Sequence, residues 1–417
     1  MKSLKTRINQ FYDLLDEELS DISYIQSMFE KTFINKGFFK METSSIEEKK
    51  RYLNSTKVHC SKIFEVRRPK EKSIFLLQSD LALSMSRFIA DNCDSKQILK
   101  LIQTGDIFRD RVDNLPGYRR KFKQILIGCW GSDNLYYDIE LVSNTINTLK
   151  ELYPKNSFYF QVSNHMILNC YFENCAEVVR FNGIESIQEK VTSEEFEVLN
   201  KLFSKPKFTL SEFADLLEES INCRHFFELK KVYDFFYLLK KEIHLPMYFS
   251  LQNLDGTNHY SGMTYRIYTK LQKKSVLIVD GGRIDHMVEK FNKSKKEPAV
   301  CLGVGIQVLC QFLILEYKRQ EKTIIFCDEN DYKQIQLAKK IQELINDEIV
   351  NIILTSHNKL SKYYKSPFYQ NTKFIILNEN EKEKVIFKNF NYENLDYYTK
   401  NDIFIGKKIQ TIDCKYS

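Results

Sequence analysis

The chain predicts an α+β fold: an antiparallel sheet flanked by helices, interrupted by a helical insertion and followed by a small α/β domain. Three observations carry this expectation. Strand-like segments before residue 320 come as hairpins and short runs separated by amphipathic helices. Residues 185–245 lose strand character and become charged, Leu/Phe-rich and helical throughout. From Lys322 onward, buried-type strands alternate with helices, which is how an α/β unit reads. The boundary is expected at KRQE, residues 318–321, giving a core over 1–320 and a second domain over 321–417. A length of 417 residues accommodates such a division, at about 100–200 residues per domain.

Each element has a local reason. Apolar residues at helical spacing (Ile8, Phe11, Leu14, Leu15, Leu19, Ile22, Ile25, Phe29, Phe33) predict one or two amphipathic helices over 8–36, ended by Gly37. FFKMETSSIE reads as a strand, IFEVRRPKEKSIFLLQSD as a hairpin around a charged turn, and LALSMSRFIADN as a helix containing Arg87. GDIFRDRVDNLPGYRRKFKQILIGCWG reads as two strands around a loop with Pro116-Gly117 turn chemistry. A helix capped by Ser132 or Asp133 and the strand SFYFQVSNH come next. After the insertion, LPMYFSLQNL, HYSGMTYRIYTKL and KSVLIVDGG return to strands. VLIVDGGRIDHMVEKFNKSKKEPAVCLGVGIQVL then reads as strand, Gly-Gly-Arg turn, short helix, Lys-rich loop, and a glycine-punctuated strand entering a helix.

Composition narrows the function classes. A net charge of +7 is mild, whereas dedicated nucleic-acid binders concentrate more. It is compatible with anionic ligands such as nucleotides. Ten scattered cysteines show no CxxC or Cys/His spacing, so neither zinc nor a disulfide framework is expected. Reduced thiols in a cytoplasmic protein are the expectation. The charged, helical N-terminus does not read as a signal peptide, and no apolar run reaches the roughly 20 residues of a spanning helix, so no membrane association is expected.

Two constellations could carry chemistry. Arg109 and Arg111 are expected on one face of the leading hairpin strand, with Arg119 and Arg120 returning on the second. Arginines on paired strands suit a phosphate clamp, because planar guanidinium forks match its oxygens. The alternative is a solvated charged hairpin. Gly281-Gly282 before Arg283 lets backbone approach a ligand, since neither glycine carries a Cβ, or else makes a tight turn. Tyr260 reads equally as a site residue or as a core aromatic, whereas His259 reads more readily as a packed or hydrogen-bonded histidine than as a catalytic base.

FRDRVDNLPGYRRKFKQILIGCWGSD resembles motif 2 of class II aminoacyl-tRNA synthetases in its histidyl-tRNA synthetase form. Phe108-Arg109 match its first part, and Gly117, Arg120, Phe122 and Gln124 match its second in order. KGFFKMETSSIE resembles motif 1, with Ser44 at the proline position. LLQSDLALSMSRF matches at Asp80 and Arg87, with Gln78 and Ser79 for an Arg-Pro. HYSGMTYRIY resembles the YYTGxxFE strand, with Tyr260 and Gly262 kept and Arg266 for the glutamate. GGRIDHMV and PAVCLGVGIQVL resemble the family's GGRYDxL and motif 3. The resemblance spans about residues 10–315 and implies a class II synthetase-like core. It implies a ligand pocket for a phosphate or histidine-like group at Asp80, Arg109, Arg111, Arg120, Gln124, Tyr260, Gly262, Gly281, Gly282 and Arg283.

The departures point away from amino-acid activation. Asp255-Gly256 stands where the resemblance places a catalytic Arg-Gly, and a carboxylate repels a transferring phosphate. Val308 replaces the motif 3 arginine, and Gly128 replaces a glutamate that would face the amino group of histidine. This profile is similar to that of ATP phosphoribosyltransferase regulatory subunits, a non-catalytic branch of the family. The resemblance then implies a short-form catalytic subunit as partner, a homodimeric core in a hetero-octamer, histidine as a ligand, no catalytic residues, no cofactor and no metal. A divergent histidyl-tRNA synthetase, or a synthetase-like tRNA-sensing domain, remains open. The second domain resembles an anticodon-binding domain but lacks the concentrated basic or aromatic face that tRNA binding wants, which argues against tRNA as partner.

Overall fold

The computed structural model describes residues 4–5, 10–55, 62–70, 72–95, 97–110, 119–252, 254, 259–271, 274–317, 322–344, 349–356, 359–369, 372–378 and 384–388. The chain divides into two compact units, Met1–Glu316 and Tyr317–Ser417. In the first, β1 (Leu4–Lys5) and β2 (Tyr12–Asp13) form a small pair before α1 (Asp16–Ile34). Helix formation starts at Asp16, whose carboxylate and those of Glu17 and Glu18 favour the first turn electrostatically. The predicted helical span from residue 8 is therefore shorter than expected. The single strand expected at FFKMETSSIE is two pieces, β3 (Phe39–Lys40) and β4 (Ile46–Glu48), in different sheets.

Helix α2 (Lys49–Ser55) leads to β5 (Glu65–Arg67) and β6 (Ile74–Leu77), the predicted charged hairpin, and then to α3 (Leu81–Asn92). Strands β7 (Leu99–Phe108) and β8 (Lys121–Trp130) pair antiparallel in ten-residue register, as the hairpin reading anticipated. Helix α4 (Leu135–Leu152) is capped by Asn134, whose side chain accepts from Tyr136 N, instead of by Ser132 or Asp133. Ser132 acts one step earlier, its Oγ accepting from Asn134 N.

Strand β9 (Phe158–Asn164) precedes the helical insertion, which begins earlier than expected. Helices α5 (Met166–Asn169), α6 (Cys175–Asn182), a 3-10 turn (Ile184–Lys190), α7 (Ser193–Ser204), α8 (Leu210–Glu219) and α9 (Phe226–Glu242) follow without a strand. Glu195 organises this layer. It completes a capping box with Thr192, and its carboxylate bonds the Arg224 backbone and guanidinium, holding its pKa down to about 2.

Strands β10 (Met247–Phe249), β11 (Met263–Leu271), β12 (Lys274–Arg283) and β13 (Ala299–Gly305) complete the main sheet, and α10 (Ile306–Phe312) leaves it. Among the described residues the sheet order is β10-β9-β11-β12-β13-β8-β7-β3, antiparallel inside, with the edge strands β10 and β3 parallel to their neighbours. The Gly-Gly-Arg segment is not a turn: Gly281 and Gly282 lie in β12 paired on both sides, and Arg283 ends the strand paired with Val300 of β13. The short helix expected after it is a run of turns instead.

Strand alternation gives the sheet two faces. One packs against α1, α4 and α9 through Phe29, Phe33, Val142, Leu149, Phe160, Phe235, Tyr265 and Val300. The other packs under α3 and the segment after β12, through Leu81, Met85, Leu126, Trp130, Tyr260, Met287 and Cys301. The second unit holds β14 (Lys322–Cys327), α11 (Tyr332–Leu344), β15 (Ile349–Leu354), α12 (Leu360–Tyr364), β16 (Lys373–Asn378) and β17 (Lys384–Lys388). Its sheet runs β15-β14-β16-β17, parallel except for the last pair.

Candidate functional site

The face beneath α3 gathers Asp80, Arg109, Gln124, Tyr260 and Gly282 of the expected site residues. Asp80 caps α3, its Oδ1 accepting from Ala82 N at 2.8 Å. Its Oδ2 lies 3.4 Å from Arg109 Nη2 and 3.8 Å from His259 Nε2. Strand β7 ends at Phe108, so Arg109 stands just past the strand expected to carry it, and its Nε donates to the Ser79 carbonyl at 2.5 Å. Arg119 and Arg120 likewise stand before β8, which starts at Lys121, instead of on it. Arg120 pairs with Asp110 at 2.7 Å, and Arg119 with Glu18 at 2.7 Å while stacking over Tyr12. Lys121 and Lys123 both reach Asp106. Each of these hairpin cations thus meets a carboxylate. Arg111, Pro116-Gly117 and Asp255-Gly256 lie outside the described residues.

The floor is built by register. Gln161 of β9, Arg266 of β11, Asp280 of β12 and Gly303 of β13 are successive partners across the strands. Arg266 Nε meets Asp280 Oδ1 at 3.0 Å. Gln124, on β8, pairs in register with Gly305 and lays its amide over Gly303, where a Cβ would collide with it. One row further, Gly282 pairs with Cys301 and Cys301 with Gly128. A Cβ at Gly282 would meet the Met263 carbonyl and come within 3.1 Å of the Tyr260 ring. This glycine admits Tyr260 to the floor.

Gly281 and Arg283 point the other way. Gly281 packs against the Leu302 side of the sheet, toward the helices. Arg283 donates through Nε to Asp138 Oδ1 at 2.9 Å, and its Nη2 also bonds Asp138 Oδ2. It further bonds the carbonyls of Ser132, Asp133 and Asn134. Arg283 is thus engaged on the helix side, and the structure does not bring it together with Arg109 or Asp80. Gly262 lies beside Arg283: a Cβ added there would stand 3.7 Å from the Arg283 Cβ, an ordinary contact.

The substituted positions have structural counterparts. A Cβ on Gly128 would lie 2.7 Å from two Trp130 ring atoms and 2.9 Å from the Val300 carbonyl. The buried indole, with Nε1 on Ser86 Oγ at 3.3 Å, occupies the space a side chain at 128 would need. Gln307 turns back, its Oε1 accepting from Lys123 N at 2.7 Å, and Val308 packs against the helix-side core. Gln78 donates to the Asp106 carbonyl at 2.8 Å. Gly128→Ala is expected to cost about 1–3 kcal/mol, the usual range for overpacking. A urea midpoint equal to that of the parent would show that the ring yields freely and does not fill the space.

Sequence reading missed Asp280, Gln161 and Trp130 as parts of this face. Asp280 was accessible, because it stands two residues before Gly282 and strand alternation puts both on one side. Gln161 and Trp130 carried no such signal: their positions follow from which strands pair. Burial lowers the proton affinity of His259, and Asp80 opposes that shift. No group of three or more metal-type ligands occurs among the described residues. No described helix is long and apolar enough to cross a membrane.

A sequence profile described as histidyl-tRNA synthetase matches residues 10–309. The chain is similar to a histidine–tRNA ligase of Finegoldia magna, at 24% identity over 94% of this chain and 96% of the relative. It is also similar to an ATP phosphoribosyltransferase regulatory subunit of Bacillus cereus, at 23% identity over 90% and 91%. Among solved structures, one from Bacillus halodurans, described as an ATP phosphoribosyltransferase regulatory subunit/histidyl-tRNA synthetase, superposes with a TM-score of 0.68 at 17% identity, covering 90% of this chain and 99% of that one. Histidyl-tRNA synthetase from Nostoc superposes with a TM-score of 0.68 at 14% identity, covering 91% and 93%. The fold is therefore that of class II tRNA synthetases, a mixed sheet flanked by helices with a small C-terminal sheet domain. With its core matched from residue 10 to residue 309, and with relatives bearing both names, the chain belongs to the histidyl-tRNA synthetase family.

Proposed function

We propose that the chain is a non-catalytic regulatory subunit of ATP phosphoribosyltransferase, working in the cytoplasm. It activates the short-form catalytic subunit and contributes to its response to histidine, in the first step of histidine biosynthesis. A homodimeric core within a hetero-octamer is the assembly this reading carries, with residues 321–417 as an anticodon-binding-like domain that need not meet tRNA. The Arg266–Asp280 ion pair is the observation that carries the reading. It puts a guanidinium in the floor of this face where the family's ligase pattern has a glutamate, an exchange that regulatory subunits of this kind can carry.

The remaining geometry supports the same reading. Val308 and Gly128 offer no group to a developing negative charge or to an ammonium, and Trp130 fills the space at 128. Losing one such stabilising group costs about 10²–10³-fold in rate. Asp80, Arg109, Gln124, Tyr260 and Gly282 still shape a face able to hold a small ligand.

Co-purification with a short-form ATP phosphoribosyltransferase, followed by its rate with and without the chain, tests this. A stable complex with an increased, histidine-sensitive rate is expected, and histidine-dependent ATP–pyrophosphate exchange by the chain alone should stay at background. Absence of both complex and rate change would overturn the reading. Exchange above background would turn it toward a ligase, the name that the Finegoldia magna relative carries.

A further inference from the structure

Three tyrosines from adjacent strands meet near the β10 edge of the main sheet. Tyr159 of β9 and Tyr268 of β11 are register partners, and their rings stack at 4.9 Å and 10°. Tyr248 of β10 sets its ring at 73° to that of Tyr159, with centroids 6.0 Å apart. These two rings form a corner, and a cation already stands in it. Lys207 Nζ lies 3.9 Å from the Tyr159 centroid and 5.3 Å from that of Tyr248. Lys207 belongs to the connection between α7 and α8, next to Phe208, whose backbone bonds Phe249 of β10 in both directions at 2.9 Å. Lys205 in the same connection pairs with Glu212, whereas among the described residues no carboxylate pairs with Lys207. Tyr159 is buried, while Tyr248, Tyr268 and Lys207 are half-buried, so solvent reaches the corner.

We propose that the Tyr159–Tyr248 corner is a binding site for a small methylated ammonium ion, which takes the place of the Lys207 ammonium. The rings attract a cation through their quadrupoles, without any carboxylate. A primary ammonium is strongly hydrated and carries three N–H donors, which ring faces satisfy less well than water does. A fully methylated nitrogen has no donor to satisfy, and its methyl groups pack directly on the rings. The corner therefore suits such an ion better than the side chain it now holds. Releasing Lys207 costs little, because an exposed cation–π contact is worth about two- to fivefold in an equilibrium. The connection that carries Lys207 stays anchored through Phe208. Tyr159 and Tyr268 form the row after Gln161 and Arg266 on the same side of the sheet, and the Arg266 charge in that row is offset by Asp280. The proposal is independent of any partner subunit.

Choline is the probe, titrated into the full chain at constant ionic strength and followed by the proton resonance of its methyl groups. Ring faces should move that resonance upfield, and its titration gives the affinity. Lys207→Ala empties the corner and should bind choline about tenfold tighter than the parent. Tyr248→Leu in the Lys207→Ala background should weaken binding about tenfold. The neutral analogue of choline, with a quaternary carbon for the nitrogen, should bind at least about tenfold more weakly than choline. Any of three results overturns the proposal: no choline binding to Lys207→Ala, equal affinity in parent and Lys207→Ala, or equal affinity for choline and its neutral analogue. A Tyr248→Leu change without effect places choline elsewhere and overturns it too. None of these results bears on whether a short-form catalytic subunit is bound, so the two readings fail separately.

Discussion

Replacing Arg283 with methionine is expected to cost about 3–5 kcal/mol of stability, the range for removing one partner of a buried ion pair. Asp138 is fully buried, and its carboxylate takes Arg283 together with the Tyr265 hydroxyl at 2.5 Å. Without the guanidinium, a buried carboxylate keeps one neutral donor, the carbonyls of Ser132 and Asp133 lose the Arg283 donor, and that of Asn134 keeps only Tyr137 N. Those carbonyls shape the turn that starts α4, so the loss spreads to the helix packed beneath the sheet. The urea midpoint of the full chain measures the effect. A double variant, Arg283→Met with Asp138→Leu, should recover part of the loss, because apolar pairs often replace buried ion pairs without penalty. A single variant as stable as the parent would show that the pair contributes little to the fold. Because Arg283 faces the helices, losing it should act through stability and leave the face beneath α3 in place.

Acid should destabilise the first unit well above the ordinary carboxylate range. His165 and His225 are buried, and burial pushes each down to about 4. His165 is held by the backbone of Gly262, while His225 begins α9 with its Nδ1 on the Tyr171 hydroxyl at 2.5 Å. In the unfolded chain each titrates near 6.5, so below that pH the unfolded state binds more protons than the folded one. The stability they contribute is complete above about pH 6.5 and is lost as pH falls toward about 4. Each histidine gives a slope of about 1.4 kcal/mol per pH unit, so the two together remove at most about 5 kcal/mol between about pH 6.5 and 4.5. Urea midpoints across that window should fall steeply. In His165→Gln with His225→Gln the slope should flatten, and an unchanged slope would assign the acid lability to other groups.

Much of the architecture was readable because it is written locally. The β7–β8 hairpin announced itself by two apolar runs around Pro-Gly, and the helix Leu81–Asn92 by its apolar run, while its cap at Asp80 emerged from the structure. The insertion was visible because helical periodicity runs on from residue 193 to residue 242 with no strand alternation. Misreadings occurred where local chemistry points to more than one outcome. Gly281-Gly282 has the composition of a turn, yet it continues β12, because Tyr260 on one side and Leu302 on the other need backbone without side chains there. Ser132, Asp133 and Asn134 are all good capping residues, and only the register of α4 selects Asn134.

The candidate site divides in the same way. Collinear motif spacing was enough to nominate Asp80, Arg109, Gln124, Tyr260 and Gly282, and to mark Gly128, Arg266 and Val308 as departures from the synthetase pattern. Spacing along a chain cannot say which face of a sheet a residue joins, or what stands opposite it. That depends on strand pairing and on which helices cover each side, relations between residues far apart in sequence. Arg283 meets Asp138 across 145 positions and Arg109 meets Asp80 across 29, so one arginine serves the helix side of the sheet and the other the face beneath α3. Arg266 and Asp280, 14 positions apart, become an ion pair because β11 and β12 align them. Residue chemistry is local, whereas the charge a site presents is the sum over whatever the fold brings together, and here the fold sets a carboxylate against Arg109, Arg120, Arg266 and Arg283 alike.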